Sequence, residues 1–120
     1  MADRYREGEA LHAEAMRHAN DGMAHRYLGK NDDAHTAFRE AWRLERQAAM
    51  LLLGDMLEPS RSVLFRSAAS LALLCGEVED AQKLAHLGLG GAPSLRVRES
   101  LQAILADADA RARAGTTEVD

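Results

Sequence analysis

Two stretches of the chain set the same small residues around a glycine. In the first, Gly22 precedes Gly29 by seven positions, and Ala34, Phe38 and Ala41 follow. In the second, Ala69 precedes Gly76 by seven, and Ala81, Ala85, Gly88 and Pro93 follow. In both, an alanine stands five positions after the central glycine. A glycine after a helix-prone run ends the helix readily, because it takes the left-handed conformation without a Cβ clash. Small residues on either side let two helix backbones approach closely around a tight turn. The pattern points to antiparallel helical hairpins.

Composition agrees with that constraint. About a fifth of the 120 residues are alanine, and β-branched and aromatic residues are few. Such a chain favours helix over sheet. Its length suits one domain. The expected helices span about Arg4–Leu28, Asp32–Gly54, Ser60–Cys75, Glu77–Leu89 and Ser94–Ala112. Asn31, Asp32 and Asp33 offer N-cap and dipole-favoured groups for the second helix, and Pro59 and Pro93 stand where helices start. The third helix is apolar nearly all round, which predicts a central place. The fifth has one apolar face and suits a terminal cap. The domain is expected to cover residues 1–113, with a flexible tail over 114–120.

The formal net charge is −4, with acids and bases mixed. That argues against a nucleic-acid partner, which calls for a basic stripe. No apolar run reaches the ~20 residues of a membrane span. The opening MADRYREGE is too charged for a signal peptide. Cys75 is the single cysteine, so no internal disulfide forms, and it reads as a small buried hydrophobe. A cytoplasmic protein is expected.

Several groups could carry chemistry. Glu14, His18, Asp21 and His25 share one helix face, and imidazole with carboxylate is a metal-ligand set. The alternative is a solvated face of helical Glu–His and Asp–His pairs. Glu9 and His12 form a further Glu-x-x-His pair, but no second pair with its accompanying glutamates exists to build a di-iron site. Cys75 has no neighbouring base, and Gly88–Gly91 lacks the residues of a phosphate loop. No enzyme activity and no cofactor are expected. Arg61 and Arg66 are the only charges on the third helix. Each could anchor a partner's carboxylate or be satisfied internally. Met50, Leu51, Leu53 and Leu57 form an oily segment that could pack inward or join two copies into a homodimer.

The doubled pattern resembles the tetratricopeptide repeat, a helix pair of about 34 residues. The first unit carries it on Gly22, Ala24, Gly29, Ala34, Phe38, Ala41 and Leu44, and the second on Gly76, Val78, Ala81, Leu89 and Pro93, with Ala69 replacing a glycine. The likeness covers about residues 15–93. It departs in the 47-residue spacing of Gly29 and Gly76, in Asp21 at an apolar position and in Ala85 at an aromatic one. The resemblance implies an all-α, right-handed array of antiparallel hairpins, five helices in all, with a long first hairpin. It also implies a non-catalytic module that binds another protein's peptide or helix in a groove. Carried over position by position, the groove is lined by Met16, Ala19, Met23, Arg26 and Tyr27, then Val63, Arg66, Ser70, Leu73 and Leu74. Tyr27 and Arg66 are the expected anchors.

Overall fold

The computed structural model describes residues 2–119. It contains five α-helices: α1 (Ala2–Tyr27), α2 (Asn31–Leu51), α3 (Ser60–Leu74), α4 (Val78–Leu89) and α5 (Leu95–Val119). No strand occurs among the described residues. Each helix packs on the next, and α3 also packs on α5. The fold is all-α.

The doubled glycine pattern becomes a doubled turn. Gly29 and Gly76 adopt φ of 77° and 76°, and no other described glycine has positive φ. At the first turn, Lys30 N–H donates to His25 O at 2.8 Å and Gly29 N–H to Arg26 O at 3.0 Å. At the second, Glu77 N–H donates to Ala72 O at 2.9 Å and Gly76 N–H to Leu73 O at 3.0 Å. This pair of bonds satisfies carbonyls that a helix end leaves unpaired. The next residue opens the following helix in both cases, Lys30 at φ −86°, ψ 72° and Glu77 at φ −87°, ψ 73°. Neither position carries a side-chain cap. Asn31, expected as a cap, is instead the first helical residue of α2. Asp32 and Asp33, and Glu79 and Asp80, occupy the first turns, where they favour the helix dipole.

The first hairpin closes along a seam of small residues. Gly8, Ala15 and Gly22 are buried on α1 at seven-residue intervals, and Ala34, Ala41 and Ala48 are buried on α2 at the same interval. A Cβ on Gly22 would stand 2.7 Å from the buried Phe38 ring. One on Gly8 would lie 3.8 Å from the Ala48 carbonyl oxygen. These contacts run in opposite chain directions, so the helices are antiparallel. Phe38 fills the space that Gly22 leaves.

The main core lies around α3. Phe65, Ala68, Ala69 and Ala72 are fully buried together with Leu84 and Ala85 of α4 and Leu101 and Ala108 of α5. Burying a ring such as Phe65 contributes ~1.5–3 kcal/mol. A smaller cluster joins Ala34, Phe38 and Ala41 to Leu71 and Cys75, with Met16 and Ala19 of α1 against it. A polar clasp ties α2 to α4: Trp42 Nε1–H donates to Asp80 at 2.8 Å, Arg46 Nε–H to both oxygens of Asp80 at 3.1 Å, and Arg39 pairs with Glu77 at 3.1 Å.

Two boundaries differ from expectation. α2 ends at Leu51 rather than Gly54, because Leu52 turns into the core and is buried. α5 runs on to Val119, through residues expected as a tail. Arg111 anchors this end, donating to Leu73 O at 3.1 Å and pairing with Asp107, and no glycine in the left-handed conformation interrupts it. Asp120, the last residue of that tail, lies outside the described residues.

The seam makes a direct prediction. Replacing a helical glycine by alanine gains up to ~1 kcal/mol of helix propensity. Gly8→Ala should therefore raise the urea midpoint. Gly22→Ala should lower the midpoint and cost ~1–2 kcal/mol of stability despite the same propensity gain, because the added methyl overpacks the Phe38 ring. Equal shifts for the two variants would contradict the seam.

Candidate functional site

The most unusual group is Glu45. It lies on the inward face of α2, between Ala41 and Ala48, and is 0% exposed. A carboxylate there costs several kcal/mol unless partnered. His12 of α1 is that partner: its Nδ1 lies 2.9 and 2.8 Å from the two carboxylate oxygens. An ionised carboxylate only accepts, so Nδ1 carries the proton in this bond. Ser67 of α3 stands near enough to act on the same carboxyl, against the rise in its pKa. α1 and α2 thus meet on one buried carboxyl. Burial pushes the Glu45 carboxyl up from the usual glutamate range, and the His12 hydrogen bond and charge act against that rise.

His12 also lines a half-open cavity of about 180 Å³ with Tyr5, Gly8, Glu9, Leu52, Ser60, Val63 and Leu64. This places the first half of α1 beside the first half of α3. Further along, Met16 and Ala19 pack in one cluster with Leu71 and Cys75. The two helices therefore run side by side in the same direction.

Beyond that contact the face opens. Met23 is 50% exposed, Tyr27 90% and Leu74 44%. Arg26 and Ser70 are exposed and Arg66 is half-buried. The expected groove residues accordingly separate into two groups. Met16, Ala19 and Val63 are half-buried, and Leu73 is buried against the main core, so these four support the floor. Met23, Arg26, Tyr27, Ser70 and Leu74 stay exposed, and Arg66 is half-buried.

Of the two α3 arginines, Arg61 is satisfied internally. It is buried, its Nε–H donates to Leu53 O at 3.2 Å and its Nη1–H to Leu87 O at 3.0 Å, and its guanidinium lies 5.0 Å from the Phe65 ring centroid. It is a tie between the loop before α3 and the end of α4. Glu58 caps α3, accepting from Ser62 N–H at 3.1 Å and from Ser62 Oγ.

The acid–histidine face of α1 does not assemble a metal centre. Glu14 pairs with Arg17 at 4.0 Å. His18, Asp21 and His25 border a shallow face with Asp33, Glu40 and Trp42 of α2. Among the described residues no three His, Cys, Asp or Glu side chains converge as metal ligands. Cys75 is buried, which pushes its thiol up, away from the reactive thiolate. The oily segment divides: Met50 packs on the main core, Leu51 is half-buried, and Leu53 and Leu57 are exposed beside Met56.

The His12–Glu45 pair escaped sequence reasoning, although a signal existed. Ala34, Phe38, Ala41, Glu45, Ala48 and Leu52 alternate at four and three residues, the spacing of a helix–helix seam. Glu45 occupies an interior position of that series.

Comparison with known proteins returned no matching family model, curated sequence or solved structure.

The buried carboxyl gives a pH prediction. A folded-state pKa raised above the unfolded value, about 4.3 for glutamate, contributes stability that is complete below that value. It is lost as pH rises through the folded one. Relative to Glu45→Gln, which does not titrate, the parent should lose urea stability as pH climbs from about 4 through the raised value. A difference independent of pH in that window would contradict the assignment.

Proposed function

We propose that the chain is a non-catalytic interaction module that binds a peptide or helix of another protein along the face shared by α1 and α3. The observation that carries this reading is the exposure of Tyr27, with Met23 and Leu74, beside a packed floor. Aromatic and apolar side chains held in water on rigid helices are the usual anchors of an interface. The repeated glycine turn and the side-by-side course of α1 and α3 support a helical-hairpin array of the tetratricopeptide type. In such an array the first helix of each pair lines the binding surface. A cytoplasmic setting belongs to the same reading.

A second reading, self-assembly into a homodimer, draws on exposed Leu53, Met56 and Leu57 at the opposite end of the hairpins. Light scattering across a hundredfold concentration range discriminates: a constant monomer mass removes it, and a mass doubling that Met56→Ser abolishes supports it.

For the first reading, Tyr27→Ala with Leu74→Ser should abolish capture of the partner and leave thermal stability within ~1 kcal/mol of the parent, because both side chains are exposed. Unchanged capture, measured by affinity purification and quantitative mass spectrometry, would contradict it.

A further inference from the structure

The cavity beside the His12–Glu45 pair has an apolar floor and a polar mouth. Leu52 and Leu64 are 2% and 8% exposed, and Val63 lines it with them, half-buried. At the rim stand Tyr5, 37% exposed, and Glu9, also exposed. An apolar void of ~150 Å³ holds a benzene ring. This one, at about 180 Å³, has room for a single ring with one or two further atoms.

Its polar groups favour one kind of ligand. Glu9 makes no hydrogen bond or ion pair among the described residues. His12 commits Nδ1 to Glu45. Its second ring nitrogen is then the polar atom it can offer, and in the neutral imidazole that nitrogen accepts. Ser60 adds a hydroxyl, which accepts as well as donates. Among the described residues no lysine or arginine lines the cavity. Arg4, one turn before Gly8, pairs with Asp55 at 3.5 Å. A carboxylate without a partner at the mouth of an apolar void calls for a cation carried on an apolar body. The Tyr5 ring suits the same ligand, because an aromatic face attracts a cation.

We infer that this cavity is a binding site for a small primary amine. Glu9 and the second nitrogen of His12 accept from its ammonium, and Leu52, Val63 and Leu64 cover its apolar body. The site is independent of the protein-binding reading and needs no partner chain.

Benzylamine, benzyl alcohol and benzoate share one ring and differ in the group it carries. Each is titrated at neutral pH into the labelled full chain, and amide shifts are followed by nuclear magnetic resonance. Benzylamine should give saturable shifts at Gly8, Leu52 and Val63 and bind about tenfold tighter than benzyl alcohol. Benzoate, repelled by Glu9, should bind weakest. Nuclear Overhauser contacts should join the benzylamine ring to the methyls of Leu52, Val63 and Leu64. Glu9→Gln, an exposed change that breaks no internal contact, should bring benzylamine down to the affinity of benzyl alcohol. Benzyl alcohol or benzoate binding as tightly as benzylamine, or an amine preference that survives Glu9→Gln, would overturn the ammonium site. No saturable shift with any probe up to about 10 mM, or saturation without those ring contacts, would overturn the cavity as a binding site.

Discussion

The close approach of α1 to α2 through Gly8, Ala15 and Gly22 is the constraint on which the remaining structure depends. α1 has no other extensive helix neighbour, so its place is decided along that one seam. Small residues bury little apolar area, and the seam is held by tight van der Waals contact rather than by large side chains. Phe38 is the exception, and it fits because Gly22 has no Cβ. Such a seam is weak in specifying register, since one alanine resembles the next. The His12–Glu45 pair supplies what the alanines lack. It places a buried charged group in the interface, and sliding α1 by a turn would leave a buried carboxylate unpaired. Replacing such pairs by apolar residues is often neutral or stabilising, so its value here lies in alignment.

That alignment reaches the surface. Holding α1 in register sets Met16 and Ala19 against the cluster of Leu71 and Cys75. α3 is rigid because α2, α4 and α5 surround it, with the Asp80 clasp and the Arg61 tie bracing its neighbours. α3 is therefore fixed by the core and α1 by a single seam. The division explains why internal polar groups and exposed ones differ so sharply: Arg61 and Glu45 are fully satisfied, whereas Arg66 is not.

Much of the fold was legible in the sequence because local rules governed it. Gly29 and Gly76 terminate helices for a backbone reason that needs no tertiary partner, and the apolar circumference of α3 leaves it no place but the centre. The cap at Asn31 and the extent of α2 and α5 depart from the local signals, since packing of Leu52 and anchoring of Arg111 outweigh local propensity there. The site was only partly legible. The candidate groove residues fall on one face, but whether Leu73 faces core or solvent depends on where α5 lies. Glu45 reads as an ordinary polar residue of a charged helix until its partner on α1 is known. The same dependence hides the difference between Arg61 and Arg66, which are alike in sequence.

The seam can be observed directly by nuclear magnetic resonance on labelled protein. Gly22 Hα should show nuclear Overhauser contacts to the Phe38 ring and a ring-current shift. Gly8 Hα should lie near Ala48, and His12 should register beside Glu45. Finding all three sets would establish the antiparallel register on which the proposed face depends. A helical α1 whose Gly22 shows no contact with Phe38, or contacts displaced by a turn, would contradict the account.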